Sequence, residues 1–235
     1  MSSNTERVID RISRSCSLDR VFVAGEGAHA IADQLRLRGS VVVESSAATI
    51  CAVTSDLLTA TDRYSVCVVC LSAPDLSDED ARYLLAALRG ATQSAYVKVA
   101  ASTAPRRVED IGSRTWWERH AIASGFRRHP HCAPLVSYEE LDAPGVTPWL
   151  LLQGVPHQSE SPKDELRAVG READATLWRY ARASHFVRRN DRVLDLDCGV
   201  GAGLAQIGPA APLRVLRGGK PETLEVIPDE SPAND

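Results

Sequence analysis

Residues 21–30 read V-F-V-A-G-E-G-A-H-A. An apolar run enters a turn with glycine at positions 25 and 27, and a helix-forming stretch follows. The pattern predicts a strand over Val21–Ala24, a tight turn from Gly25 to Ala28 and a helix over Ala30–Arg38. Ile31, Leu35 and Leu37 give that helix its apolar positions, and Gly39 stands just past its end, where a left-handed backbone closes a helix. Working outward, residues 6–16 suit a short leading helix. Val41–Val43 reads as a second strand closed by Glu44, and Ile50–Thr54 as a third closed by Asp56. Ser65–Leu71 is apolar almost throughout, as expected of a strand covered on both faces. A helix over Asp78–Leu88 with an acidic first turn, a strand over Ala95–Ala100, a helix over Arg114–Ser124 and a late strand over Trp149–Gln153 complete the series. Strands alternating with helices predict an α/β fold with a doubly wound, mostly parallel, Rossmann-like sheet. Such sheets bind ligands beyond the carboxyl ends of their strands.

Composition narrows the function classes. The chain has 235 residues, enough for one large domain or one and a half ordinary ones, and a net charge of −4. That balance gives no basic field for nucleic acid. No apolar run is long enough to span a bilayer, and the opening M-S-S-N-T-E-R has no signal-peptide hydrophobic region. A cytoplasmic location is expected, with neither nucleic acid nor membrane as partner. Cys67 and Cys70 form C-V-V-C inside a strand-like run. Their side chains then point to opposite faces and cannot share a metal ion, so they read as buried structural thiols. His129-Pro130-His131-Cys132, with His120 nearby, has no second ligand pair of the kind zinc sites draw on, and no metal is expected. Trp116 and Trp117 read as a packing pair and His29 as a surface histidine.

The later part of the chain repeats the opening theme. Val193 to Gly203 reads V-L-D-L-D-C-G-V-G-A-G, again a strand running into a glycine turn, with only 32 residues after it. Residues 1–155 therefore read as one domain and 156–163, with its two prolines, as a linker. Residues 164–228 read as a second module cut short, and 229–235 as a disordered tail. Within the second module, Asp164–Val187 is expected as one helix, Val193–Leu196 as a strand, and Leu213–Leu216 with Thr223–Ile227 as a hairpin.

The first glycine turn carries the candidate site. Gly25 and Gly27 let the backbone turn sharply and approach a ligand, and the head of the following helix offers unpaired N–H groups and partial positive charge. Glu44, at the end of the next strand, is placed to accept from ribose hydroxyls, and Asp56 to face an adenine amino group. Gly25, Gly27 and Ala30 match the dinucleotide pattern G-x-G-x-x-A, with Glu44 nineteen residues beyond Gly25. An NAD(P)-binding Rossmann module and an S-adenosylmethionine site both suit these residues.

Residues 114–130, R-T-W-W-E-R-H-A-I-A-S-G-F-R-R-H-P, decide between them by resemblance. They are similar to the closing helix and strand of bacterial class I S-adenosylmethionine-dependent methyltransferases, in which a W-W-E helix is followed by A-G-F-R-K-H-P. With Y-S-V-C-V-V-C-L at 64–71, the resemblance covers roughly residues 18 to 155. R-E-A-D-A-T-L-W-R-Y-A-R-A-S-H-F-V and R-V-L-D-L-D-C-G-V-G-A-G-L, in the second module, resemble the leading helix and first motif of the same superfamily. The resemblance implies S-adenosylmethionine as cofactor and methyl transfer to a small molecule or sugar. The first module departs from the family at Val23, where an acidic residue is usual, at His29, in place of the last glycine, at Tyr64-Ser65 and at S-A-P-D-L after the fourth strand. The second module keeps Asp195, Gly199, Gly201 and Gly203 but has Asp197 for a glycine and no second strand bearing a carboxylate. These departures suit a catalytically inactive, methyltransferase-like pseudoenzyme serving as scaffold, partner subunit or homo-oligomer, which stands as the alternative.

Overall fold

The computed structural model describes residues 4–101, 110–130, 132, 147–155, 165–167, 169, 171–184, 186, 213–217 and 220–224. The chain divides into two compact units, Met1–Ser159 and Glu160–Asp235.

The first unit runs α1 (Asn4–Ser13), β1 (Arg20–Gly25), α2 (Ala28–Leu37), β2 (Val41–Ser45), α3 (Ile50–Thr59), β3 (Tyr64–Ser72), α4 (Asp78–Ala91), β4 (Thr92–Ala100), α5 (Arg114–Ala123), β5 (Phe126–Arg128) and β6 (Leu150–Gly154). Its six strands form one sheet in the order β2-β1-β3-β4-β6-β5. β1 to β4 are mutually parallel, and β6 runs antiparallel to both of its neighbours.

Strand alternation sorts the core into two layers. Phe22, Ala24, Cys67, Val69, Leu71, Ala95, Val97 and Val99 point to one face and share a core with Val53 and Leu57 of α3, Leu84, Leu85 and Leu88 of α4, and Trp117 of α5. Val21, Val23, Val66, Val68 and Tyr96 occupy the alternate positions. They are buried outside that cluster, as are Val8, Ile9 and Ile12 of α1 and Ile31, Ala32 and Leu35 of α2. Helices thus cover both faces, which explains why β3 is apolar at nearly every position. Cys67 and Cys70 are both buried free thiols on opposite faces, as their spacing requires.

Local chemistry sets the element ends. Gly39 has φ +89° just beyond α2. α4 opens with a capping box, in which Ser77 accepts from the Asp80 N–H and the Asp80 carboxylate from the Ser77 N–H, followed by three acidic residues against the helix dipole. β4 starts three residues before the apolar pattern does. Thr92 is fully buried there, its hydroxyl donating to the Tyr64 carbonyl at 2.9 Å.

The expected third strand is a helix. Thr49 caps α3 by accepting the Ala52 N–H at 3.3 Å, and Ile50, Val53, Thr54 and Leu57 are buried at helical spacing. The β-branched residues of Ile50–Thr54 suit a strand locally, but the apolar period continues to Leu57, and burial of that stripe decides the element. Among the described residues no strand lies beyond β2, which is the edge of the sheet.

In the second unit the helix expected over 164–187 is two elements, a 3₁₀ turn over Glu165–Arg167 and α6 (Arg171–Ser184). Gly170, a weak helix former, lies between them in sequence. β7 (Leu213–Arg217) pairs antiparallel with β8 (Lys220–Leu224), from Leu213↔Leu224 to Arg217↔Lys220. The hairpin is tighter than predicted, because β8 includes Lys220, Pro221 and Glu222 rather than starting at Thr223. The linker 156–163, the strand at 193–196, the second glycine turn and the tail 229–235 lie outside the described residues. No helix among the described residues is long and apolar enough to cross a membrane.

Candidate functional site

From β1 the chain crosses to β2 on one side and then to β3 on the other, so the order reverses around β1. The carboxyl ends of β1 and β3 frame the switch-point crevice, where ligands bind in open α/β sheets. The first glycine turn lies there.

Its two glycines do different work. Gly25 has φ +91°, and a Cβ on it would overlap the Cys70 carbonyl oxygen and stand 2.7 Å from its carbon. The next residue, Glu26, donates its N–H to the same carbonyl at 2.5 Å. Gly25 thus serves the close approach of β1 to β3, a role the sequence reading did not assign to it. Gly27 has φ +72°, occupies the N-cap of α2 without a side-chain capping bond, and faces open space for 4 Å around its missing Cβ. It is the position at which a ligand can meet the backbone.

Glu44 pairs with Val23 one residue before Ser45 closes the β2 pairing with β1, and its side chain is one-quarter exposed. Its carboxylate meets His29 Nδ1 at 3.2 Å and accepts from Arg36 Nη2 at 3.2 Å. His29 stands in the first turn of α2, two residues beyond Gly27, with Nε2 3.4 Å from the Asp33 carboxylate. The carboxylate and the open turn therefore belong to one locus. His29 and Arg36 are exposed, and exposed ion pairs contribute only about 0–1 kcal/mol, so a ligand can displace them.

Asp56 reaches the end of β2 from a different element than predicted. With α3 in place of a third strand, it sits in the middle of a helix, and its carboxylate accepts from the Ser45 hydroxyl. Val23, at the position where the family resemblance calls for an acid, is fully buried. Across the crevice, Ser72 at the end of β3 donates to Glu26 Oε1 at 2.5 Å.

The donor set fits a nucleoside in part. Gly27 offers unobstructed backbone at a helix head and Glu44 a carboxylate for hydroxyls, while Val23 supplies no acid and the Asp56 carboxylate is engaged by the Ser45 hydroxyl.

The other sequence candidates lie elsewhere. Trp116 and Trp117 are both buried and edge-to-face at 5.0 Å, as a packing pair should be. Trp116 Nε1 donates to Asp78 at 2.9 Å, and His120 Nε2 approaches the same oxygen at 3.0 Å, which ties α5 to the head of α4. His129 is buried at the end of the β5 segment, its N–H donating to the Leu151 carbonyl at 2.9 Å; His131 lies outside the described residues. Among the described residues no group of His, Cys, Asp or Glu could hold a metal ion. Arg114 and Glu118 form a buried ion pair at 2.8 Å, with Arg128 Nε 4.0 Å from the same oxygen. The only sequence signal for that cluster is the i,i+4 spacing of Arg114 and Glu118, which surface helices share.

No protein-family model matches the chain, and no curated protein matches it.

Proposed function

We propose that the first unit is an S-adenosylmethionine-dependent methyltransferase of class I type, acting on a small-molecule or sugar acceptor. The observation that carries the reading is the pairing of an open Gly27 turn at the head of α2 with the Glu44 carboxylate at the end of the adjacent β2. Glu44 would accept from the ribose hydroxyls, displacing His29, and the Gly27 backbone would lie against the nucleoside. The bound cofactor would supply an electrophilic methyl group. The chain's task is then to hold donor and acceptor in line, which needs positioned backbone more than a strong base. Four parallel strands and a reversed strand slotted between β4 and β5 agree with a methyltransferase sheet, which supports the reading at the level of fold only.

Calorimetry with S-adenosylmethionine tests it. Micromolar binding by the wild-type protein, weakened at least tenfold in Glu44→Ala, is expected. Binding of NADH without S-adenosylmethionine would replace this reading with a dinucleotide-binding one.

One set of observations favours a second reading, a non-catalytic methyltransferase-like scaffold. Both His29 and Arg36 already engage Glu44, Val23 stands where the family has an acid, and the Glu26–Ser72 bond spans the crevice. Absence of binding at millimolar ligand, with a stable homodimer or complex in solution, would favour that reading.

A further inference from the structure

The crevice holds a second pair of charges, Glu26 and Lys98, to which the cofactor reading assigns no role. Gly25, Cys70 and Lys98 stand in one cross-strand row, Gly25 opposite Cys70 on β3 and Cys70 opposite Lys98 on β4. Neighbouring strands lie about 4.8 Å apart, so Lys98 begins roughly two strand spacings from the turn, on the same face as Cys70. Gly25 contributes no side chain to that row. Glu26 follows it immediately, tied by its backbone to Cys70 and by its carboxylate to Ser72.

Lys98 is half-buried inside a central strand. It has no ion-pair partner among the described residues, and neither does Glu26. A lysine withdrawn from solvent in the middle of a sheet is normally paired. Strand order puts Cys70 on β3 between the end of β1, which Glu26 follows, and Lys98 on β4, and the charges of Glu26 and Lys98 both act on its thiol, with opposite sign. Burial is the larger influence on that thiol and pushes it up to about 11. Cys70 therefore stays neutral and serves as floor, not as nucleophile. An acid and a base kept apart across a neutral floor, beside a backbone turn without side chains, are complementary to an ammonium and a carboxylate on one small group.

We propose that Glu26 and Lys98 form a subsite for the amino-acid end of the ligand, Glu26 with Ser72 receiving the α-ammonium and Lys98 the α-carboxylate. It rests on the cofactor reading above, and supplies from β4 and the turn what Val23 cannot supply from the end of β1. Lys98 and Glu26 are binding residues here; neither touches the transferred group.

The test uses two probes, S-adenosylmethionine and 5′-methylthioadenosine, which lacks the amino-acid end. The full-length wild-type protein and the Lys98→Met, Lys98→Arg and Glu26→Gln variants are titrated with both by calorimetry, and each variant's fold is checked by thermal unfolding. Lys98→Met is expected to weaken S-adenosylmethionine by about tenfold or more, the scale of one charged hydrogen bond, and to leave 5′-methylthioadenosine unchanged. Lys98→Arg should restore most of the loss, and Glu26→Gln should resemble Lys98→Met. Equal effects on both probes, or none on either, would overturn the subsite while leaving nucleoside binding in place. A wild-type protein that binds neither probe would overturn the cofactor reading and the subsite together.

Discussion

At the scale of single residues, the two glycines of the first turn make opposite demands. Gly25 combines a positive φ with a Cβ position filled by the Cys70 carbonyl. Gly25→Ala is expected to destabilise the first unit by about 2–5 kcal/mol, backbone strain and overpacking together. Gly27→Ala meets only the backbone term, about 1–2 kcal/mol. Urea denaturation of both variants measures the difference, and equal losses would contradict the assignment. Asp56→Asn should leave ligand affinity unchanged, because its carboxylate faces Ser45 from within α3; a loss in the same calorimetric titration would return Asp56 to the site. G-x-G spacing made the turn legible in sequence, but not which glycine faces solvent, because that depends on β3, more than forty residues away. Arg114, Glu118 and Arg128 were illegible for a similar reason. Charged residues, on a helix such as Arg114 and Glu118 or on a short strand such as Arg128, read as a solvated face until the packing that encloses them is known.

Elements were legible where one period dominated. The Val41–Val43 run and the acidic head of α4 each point to one structure. Ile50–Thr54 does not, since its apolar residues satisfy a strand locally and a helix once Leu57 is counted. The reversed insertion of β6 between β4 and β5 leaves no local trace, being set by pairing across the sheet. That edge has its own fastening. Arg89 of α4 donates from Nε to the Gly125 carbonyl at 3.1 Å and from Nη2 to the Val155 carbonyl at 2.7 Å, with its guanidinium over Phe126. Arg89→Met removes two charged donors from residues flanking β5 and β6. A loss of about 1–3 kcal/mol is expected, with faster amide exchange in β5 and β6 than in β1 and β3; uniform acceleration would show that Arg89 is not specific to that edge.

At the scale of the whole molecule, buried thiols tie stability to pH. Desolvation holds Cys70 at about 11 and pushes Cys67 higher still, against a free-thiol value of 9.0. A group whose folded value is raised contributes fully below the unfolded value and loses its contribution as pH climbs towards the folded one. The urea midpoint should therefore be insensitive to these thiols at pH 8 and fall between about pH 9 and 11, and a Cys67→Ala, Cys70→Ala double variant should show a shallower fall. In the native protein exposed Cys51 should react with a thiol reagent well before either.

The position of β2 has a further thermodynamic consequence. Among the described residues it is held by β1 on one side only, and Val41, at its start, is 60% exposed. An edge strand opens at a lower free energy than the strands it leans on. Because Glu44 sits on this strand, a ligand that grips Glu44 binds only the closed form, and by linkage it must slow the opening. Amides of residues 41–45 should then report occupancy directly. Their exchange should slow in proportion to ligand concentration above Kd, while the amides of β3, already protected by strands on both sides, hardly change.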